Sequence, residues 1–181
     1  MGRARASSTT RKIPSRPRDV SPAALTIAVD GAARGNPGPA GAGVAITDGK
    51  GRVVKEIALS LGETTNNVAE YAALLCALQA AAQLGAKEVR VQTDSELLAR
   101  QLSGEYRVKD PTLRVFHALV EQLRTGFRCC EVRHVPREQN RAADRLANRA
   151  VDAGLRTLGK PKASPIAPPD PMQRTFRFGT P

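Results

Sequence analysis

At 181 residues the chain has the length of one ordinary domain with room for loose ends, and its 41% hydrophobic content supports a core of Ala, Val and Leu, because only six residues are aromatic and none is Trp. The net charge of +11 sits mostly at the two ends: residues 1–24 carry +5, residues 155–181 carry +4, and residues 25–154 carry +2. No apolar run approaches a membrane span, no secretion signal opens the chain, and Cys76, Cys129 and Cys130 form neither a disulfide framework nor a Cys-x-x-Cys metal site, so no membrane partner, a reducing cytoplasm and a monomer are expected.

"MGRARASSTTRKIPSRPRDVSPAA" has no hydrophobic period and reads as a disordered basic N-terminal extension, residues 1–24. Leu25, Ile27 and Val29 then alternate with Thr26, Ala28 and Asp30, a strand whose end or interruption is the acid. The glycines with Pro37 and Pro39 predict a tight turn, followed by a strand over "GVAITD", a hairpin at "DGKG" and a third strand, "RVVKEIALSL". Thr64 or Thr65 caps a helix with Tyr71, Leu74, Leu75, Leu78 and Ala82 on its apolar face, stopped by Gly85. "KEVRVQTD" is a fourth strand and "SELLARQL" a short helix; Pro111 opens a helix bearing Leu113, Phe116, Val120 and Leu123. "CCEVRHV" is the fifth strand, and "NRAADRLANRAVDAG" is a last helix ending at Gly154, which closes a domain over residues 25–154. Residues 155–181 form a basic, Pro-rich tail in which Phe176 and Phe178, at strand spacing, suggest docking on the body. The order βββαβααβα predicts a three-strand meander followed by crossovers, hence a mixed sheet flanked by helices.

The glycine-rich segment "VDGAARGNPGPAGAG" is no phosphate loop: it lacks the Lys-Ser/Thr of a Walker motif, and a strand rather than a helix follows it. The acids carry the chemistry instead. Asp30 and Asp94 end apolar strands, Glu70 lies among Ala69, Ala73 and Ala77 early in a helix, and Asp144 opens the last helix in "AADRLA". Singly each has an ordinary use as a cap or dipole partner. Buried carboxylates are costly unless paired or metal-bound, four of them on elements that could converge favour the metal, and hard oxygen ligands suit Mg2+ or Mn2+.

"TIAVDGAARGNPGPAGAGVAI", "TTNNVAEYAALLCAL", "VQTDSELLARQL" and "NRAADRLAN" resemble, in order and spacing, the four signature blocks of the type 1 ribonuclease H family over about residues 25–152. The resemblance implies the ribonuclease H-like α/β fold, a five-stranded mixed sheet with three antiparallel strands and then parallel crossovers. It implies that Asp30, Glu70, Asp94 and Asp144 are catalytic ligands for two Mg2+ ions, with Mn2+ as a substitute. The implied activity is endonucleolytic hydrolysis of the RNA strand of an RNA–DNA hybrid, leaving 5′-phosphate and 3′-hydroxyl ends; cleavage of double-stranded RNA stays open. Gly31, Asn36, Asn66 and Asn67 match hybrid-contacting positions, and Thr65 matches a DNA-phosphate contact at a helix start. A non-catalytic nucleic-acid-binding domain of the same fold is the alternative, and a full set of four acids argues against it.

Two departures stand out. Only "SGEYRVKDP" intervenes where many members carry a basic helical protrusion, so Arg107 and Lys109 are all that remains of it. "VPREQN" is similar to the short cellular and retroelement-type subgroup without that protrusion, and no further enzyme domain is expected. In place of the mobile loop that presents a histidine stands "RHVPREQNRAAD"; His134 reads as a strand residue, with Arg137 and Glu138 as other loop assistants, and His117 reads as a core histidine.

Overall fold

The structure, a computed structural model, describes residues 24–158. The N-terminal extension and the docking expected of Phe176 and Phe178 lie outside the described residues. The elements follow the predicted order: β1 (Ala24–Ala33), β2 (Gly38–Thr47), β3 (Val53–Thr64), α1 (Asn66–Gln83), β4 (Glu88–Thr93), α2 (Glu96–Leu102), α3 (Pro111–Arg124), β5 (Cys129–His134) and α4 (Arg141–Leu158). They build one five-stranded mixed sheet in the order β3-β2-β1-β4-β5, in which β1–β2 and β2–β3 are antiparallel and β1–β4 and β4–β5 parallel.

Strand alternation sorts the two faces. Leu25, Ile27 and Val29 of β1 stand opposite Val89 and Val91 of β4 and Val44 and Ile46 of β2, and all are buried against Tyr71, Leu74 and Leu78 of α1. The helix N-terminus comes down onto β1 at Gly31, where any Cβ would strike the backbone of Ala69 and Glu70. On the other face α4 crosses β1, β2 and β3, and its side of the interface is Ala143, Ala147 and Ala150. Here a Cβ at Gly41 would lie 2.7 Å from the Ala147 carbonyl, and one at Gly43 would meet the Ala143 and Ala147 backbone. Small residues on both sides bring the helix axis close to the sheet.

Two expectations are corrected. β1 does not stop at Asp30 but runs on to Ala33, and β2 already starts at Gly38, so the turn is only residues 34–37. Pro39, Gly41 and Gly43 belong to a strand, and the two glycines serve helix packing rather than a turn. Nor does Gly154 end the last helix: α4 continues to Leu158, and Gly154, which is not among the positive-φ glycines, serves packing instead, since a Cβ there would collide with the Ser60 side chain of β3.

Candidate active site

Four segments meet at the ends of β1 and β4. Asp30 stands in β1 opposite Gly43, Glu70 is carried in by the first turns of α1, and Asp94 follows the last residue of β4. Ligand oxygens of these three lie within 4.8 Å of one another. Asp30 and Glu70 are each only 6% exposed, and Glu70 Oε2 has no hydrogen-bond partner although it is fully buried. Asp144, in the first turn of α4, lines the same cleft of about 300 Å3 together with Gly31, Asn66, Arg137 and Asn148. The structure therefore joins three carboxylates in a tight trio and sets the fourth on the cleft wall.

Burial and, after it, the crowding of like charge show in the acidities. Burial, then the Asp94 and Asp144 charges, raise the Asp30 carboxyl to about 7, against the opposing pull of Arg137. Burial, then the Asp30 and Asp94 charges, raise Glu70 to about 9, while the Gly31 backbone N–H pulls the other way. Near neutral pH Glu70, and in part Asp30, thus retain protons unless a cation takes their place. An unpartnered buried oxygen and an all-oxygen donor set fit a hard divalent ion.

One amide and one guanidinium border the acids. The Asn140 side chain, fully buried, donates through Nδ2 to Asp94 Oδ1 at 2.7 Å and to the Val29 carbonyl at 2.9 Å, tying the entry to α4 to both β1 and the acid after β4. Its Oδ1 has no partner. Arg137 donates to Asp144 Oδ1 at 2.7 Å, and this contact raises the guanidinium pKa further. Asn140 and Asn148 are functional-site residues that the sequence reading passed over. "QNRAAD" marks Asn140 only as a residue next to a helix start; its bonds to Asp94 and Val29 join positions 46 and 111 residues apart, beyond any local pattern.

The other candidates divide between the cleft and its surroundings. Thr65 caps α1, its side chain accepting from the Val68 N–H at 3.3 Å, and Asn36 Oδ1 accepts from the Asn66 N–H at 3.1 Å, fixing the β1–β2 turn to the helix start. Asn36, Thr65 and Asn67 line a depression beside that helix, and Gly31 and Asn66 line the acid cleft. Ser95, not Asp94, caps α2, accepting from the Leu98 N–H, so Asp94 is left for the cleft. His134 ends the edge strand β5, exposed, in a depression with Glu96 and Arg100; it is not among the residues that line the acid cleft. Glu138 lines a neighbouring pocket with Arg137, Arg141 and Arg145. His117 is half-buried, with Nε2 3.4 Å from the Gln101 carbonyl and its ring 6.5 Å from that of Tyr71.

Residues 28–150 match the protein family described as reverse transcriptase-like. The ribonuclease HI of Halobacterium salinarum is 46% identical over 123 residues, 68% of this chain and 62% of that protein. The N-terminal RNase H domain of a Mycobacterium tuberculosis protein, solved as a fusion with maltose-binding protein, superposes with a TM-score of 0.73 at 41% identity, covering 75% of this chain and 99% of that one. LC11 RNase H1, solved in complex with an RNA/DNA hybrid, gives a TM-score of 0.69 at 47% identity, covering 72% of this chain and 99% of that one. Curated full-length relatives are longer: the chain spans 62% of the Halobacterium protein and 37% of a mycobacterial bifunctional protein.

Proposed function

The chain belongs to the type 1 ribonuclease H family, and from that membership we propose that it hydrolyses the RNA strand of RNA–DNA hybrids, leaving 5′-phosphate and 3′-hydroxyl ends. The observation that carries this reading is the buried trio Asp30, Glu70 and Asp94 with the unpartnered Glu70 oxygen, facing Asp144 across one cleft. Asp30, Glu70, Asp94 and Asp144 would hold two divalent cations, Mg2+ or Mn2+, which when bound supply an activated water and charge stabilisation for the leaving 3′ oxygen. The protein's own groups do the rest. Asn140 holds the Asp94 carboxylate toward the cleft. Arg137 neutralises Asp144 in the absence of substrate, and at the cleft mouth its guanidinium is placed to turn to a phosphate of the incoming strand. Gly31, Asn36, Asn66 and Asn67 surround the α1 entrance as compact groups that read minor-groove edges and 2′-hydroxyls, and Thr65 with the α1 N-terminus suits a DNA phosphate. In this reading the protein acts as a monomer in a reducing cytoplasm, where the thiols of Cys76, Cys129 and Cys130 stay free.

The test is cleavage of end-labelled RNA–DNA, RNA–RNA and DNA–DNA duplexes with Mg2+, with Mn2+ and with EDTA. Metal-dependent cuts in the RNA strand of the hybrid are expected. Hybrid binding without cleavage in either metal would replace this reading with that of a binding domain, and cleavage of RNA–RNA at a similar rate would widen the substrate class.

A further inference from the structure

The outer face of α4 carries Arg141, Arg145, Arg149 and Arg156, all exposed and, among the described residues, none in an ion pair. Steps of four, four and seven residues keep them on one side of a helix, and the stripe they make is about 22 Å long at 1.5 Å per residue. The single acid on this side, Asp152, is neutralised by Arg34 from the β1–β2 turn at 2.5 Å, which brings a fifth guanidinium to the row. At its upper end the stripe merges with the acid cleft: Arg137, Arg141 and Arg145 line a pocket of about 390 Å3 whose other walls are Glu138 and Asp144.

A face that was merely solvated would have no reason to look like this. Arginines four apart repel each other, and Arg141 sits at the helix N-terminus, where the macrodipole disfavours a cation. Three such unfavourable placements on one face, with Asp152 the one acid among them and that acid already taken by Arg34, fit a surface that is completed by an external polyanion. The body of the chain carries a net charge of only +2 over residues 25–154, so the concentration of arginine here is local and not a reflection of general basicity.

We propose that the outer face of α4 is a second phosphate-backbone site, which holds the RNA–DNA hybrid where it extends past the catalytic cleft. It rests on the hybrid-nuclease reading for the identity of the nucleic acid. At 3.4 Å per phosphate along one strand, a stripe of this length faces about six successive phosphates. The site takes over for a chain with only Arg107 and Lys109 between α2 and α3 the grip on substrate that a basic insertion there would give. Arg141 and Arg137 link it to the scissile position, so the extension lies to one side of the cut and not to both.

The test compares the full chain with the variants R145E/R149E/R156E and R145Q/R149Q/R156Q. Fluorescence anisotropy is read in EDTA with a hybrid of about eight base pairs and with hybrids lengthened by about ten base pairs on the 5′ or the 3′ side, over ~50–200 mM salt. In the full chain, lengthening on one side tightens binding by about tenfold or more. In the glutamate variant that gain disappears, and the slope of log K against log salt falls by about two to three, as expected for three lost phosphate contacts. The glutamine variant loses most of the gain with an unchanged fold by circular dichroism. Equal gains from lengthening in the full chain and in both variants would overturn the proposal, as would equal gains on both sides. Cleavage of the short hybrid in Mg2+, measured in parallel, reads the nuclease assignment separately: its absence in the full chain removes the enzyme reading and leaves the binding comparison intact.

Discussion

At the scale of single residues, Asp30 and Glu70 make the metal-free protein sensitive to pH in a definite direction. Asp30 and Glu70 ionise near 3.8 and 4.5 when unperturbed, and near about 7 and about 9 in the fold. Between those values the folded state binds protons that the unfolded chain has released. Stability from these groups is therefore full below about pH 4 and is lost as pH rises through about 7 and then about 9. Asp48 shifts the other way: N–H groups of Arg52 and Lys50 hold its carboxyl low, so its contribution is lost only as pH falls below the ordinary carboxylate range. The melting temperature in EDTA is expected to fall from about pH 5 to about pH 9, with a smaller fall in Asp30→Asn and in wild type with Mg2+. A melting temperature that rises across this range contradicts the assignment. Asn140 makes a second case. In Asn140→Ala the Val29 carbonyl and Asp94 lose a donor, so stability is expected to drop by about 1–3 kcal/mol, and Mg2+ affinity measured by calorimetry by about 10–100-fold. Loss of stability with unchanged Mg2+ affinity would reduce Asn140 to a structural bond. Asp30 and Asp94 stood out in the sequence because they end apolar runs, and Glu70 because it lies among alanines. Asp144, in a polar helix start, was singled out with them only as one of four acids on separate elements and by the family resemblance. Asn140 was not, because its partners are set by the fold.

At the scale of elements, the periodicities were legible and the packing distances were not. Alternation placed β1, and the apolar face from Tyr71 to Leu78 placed α1, because both patterns record which side meets the core. Gly38 and Gly41 were misread as turn residues and Gly43 as no more than the start of a strand, since a glycine that admits a helix and a glycine that admits a bend look alike without the partner element. Gly43 separates the two meanings. A turn glycine tolerates alanine where its φ is ordinary, whereas here a Cβ meets the Ala143 and Ala147 backbone of α4, which carries Asp144. Gly43→Ala is expected to lower stability by about 1–3 kcal/mol in urea unfolding and to weaken hybrid cleavage as α4 is pushed from the sheet. Wild-type stability in that variant would mean that the helix lies farther from β2 than described.

At the scale of the whole molecule, most of the net charge and the acid cleft belong to different stretches of the chain. Nine of the eleven net positive charges lie in residues 1–24 and 155–181, while the acid cleft lies in a body that is nearly neutral. We propose that the N-terminal extension adds non-specific affinity without touching the chemistry. Deleting residues 1–22 is expected to raise KM, to flatten the salt dependence of binding and to leave kcat within about twofold; identical binding curves over ~50–200 mM salt would refute this. The central claim concerns the cleft: its carboxylates hold the divalent ions that hybrid cleavage requires. Asp94 lies in the trio and is half-buried, so Asp94→Asn removes a ligand charge while keeping the shape that Asn140 binds. The most direct measurement is the single-turnover cleavage rate of an RNA–DNA hybrid by this variant at saturating Mg2+ and Mn2+, alongside its melting temperature in EDTA. The account predicts a rate lower by about a thousandfold or more, equivalent to about 4 kcal/mol of barrier, in a protein that melts no lower than wild type because one of the crowded negative charges is gone. A rate within tenfold of wild type in either metal would contradict it.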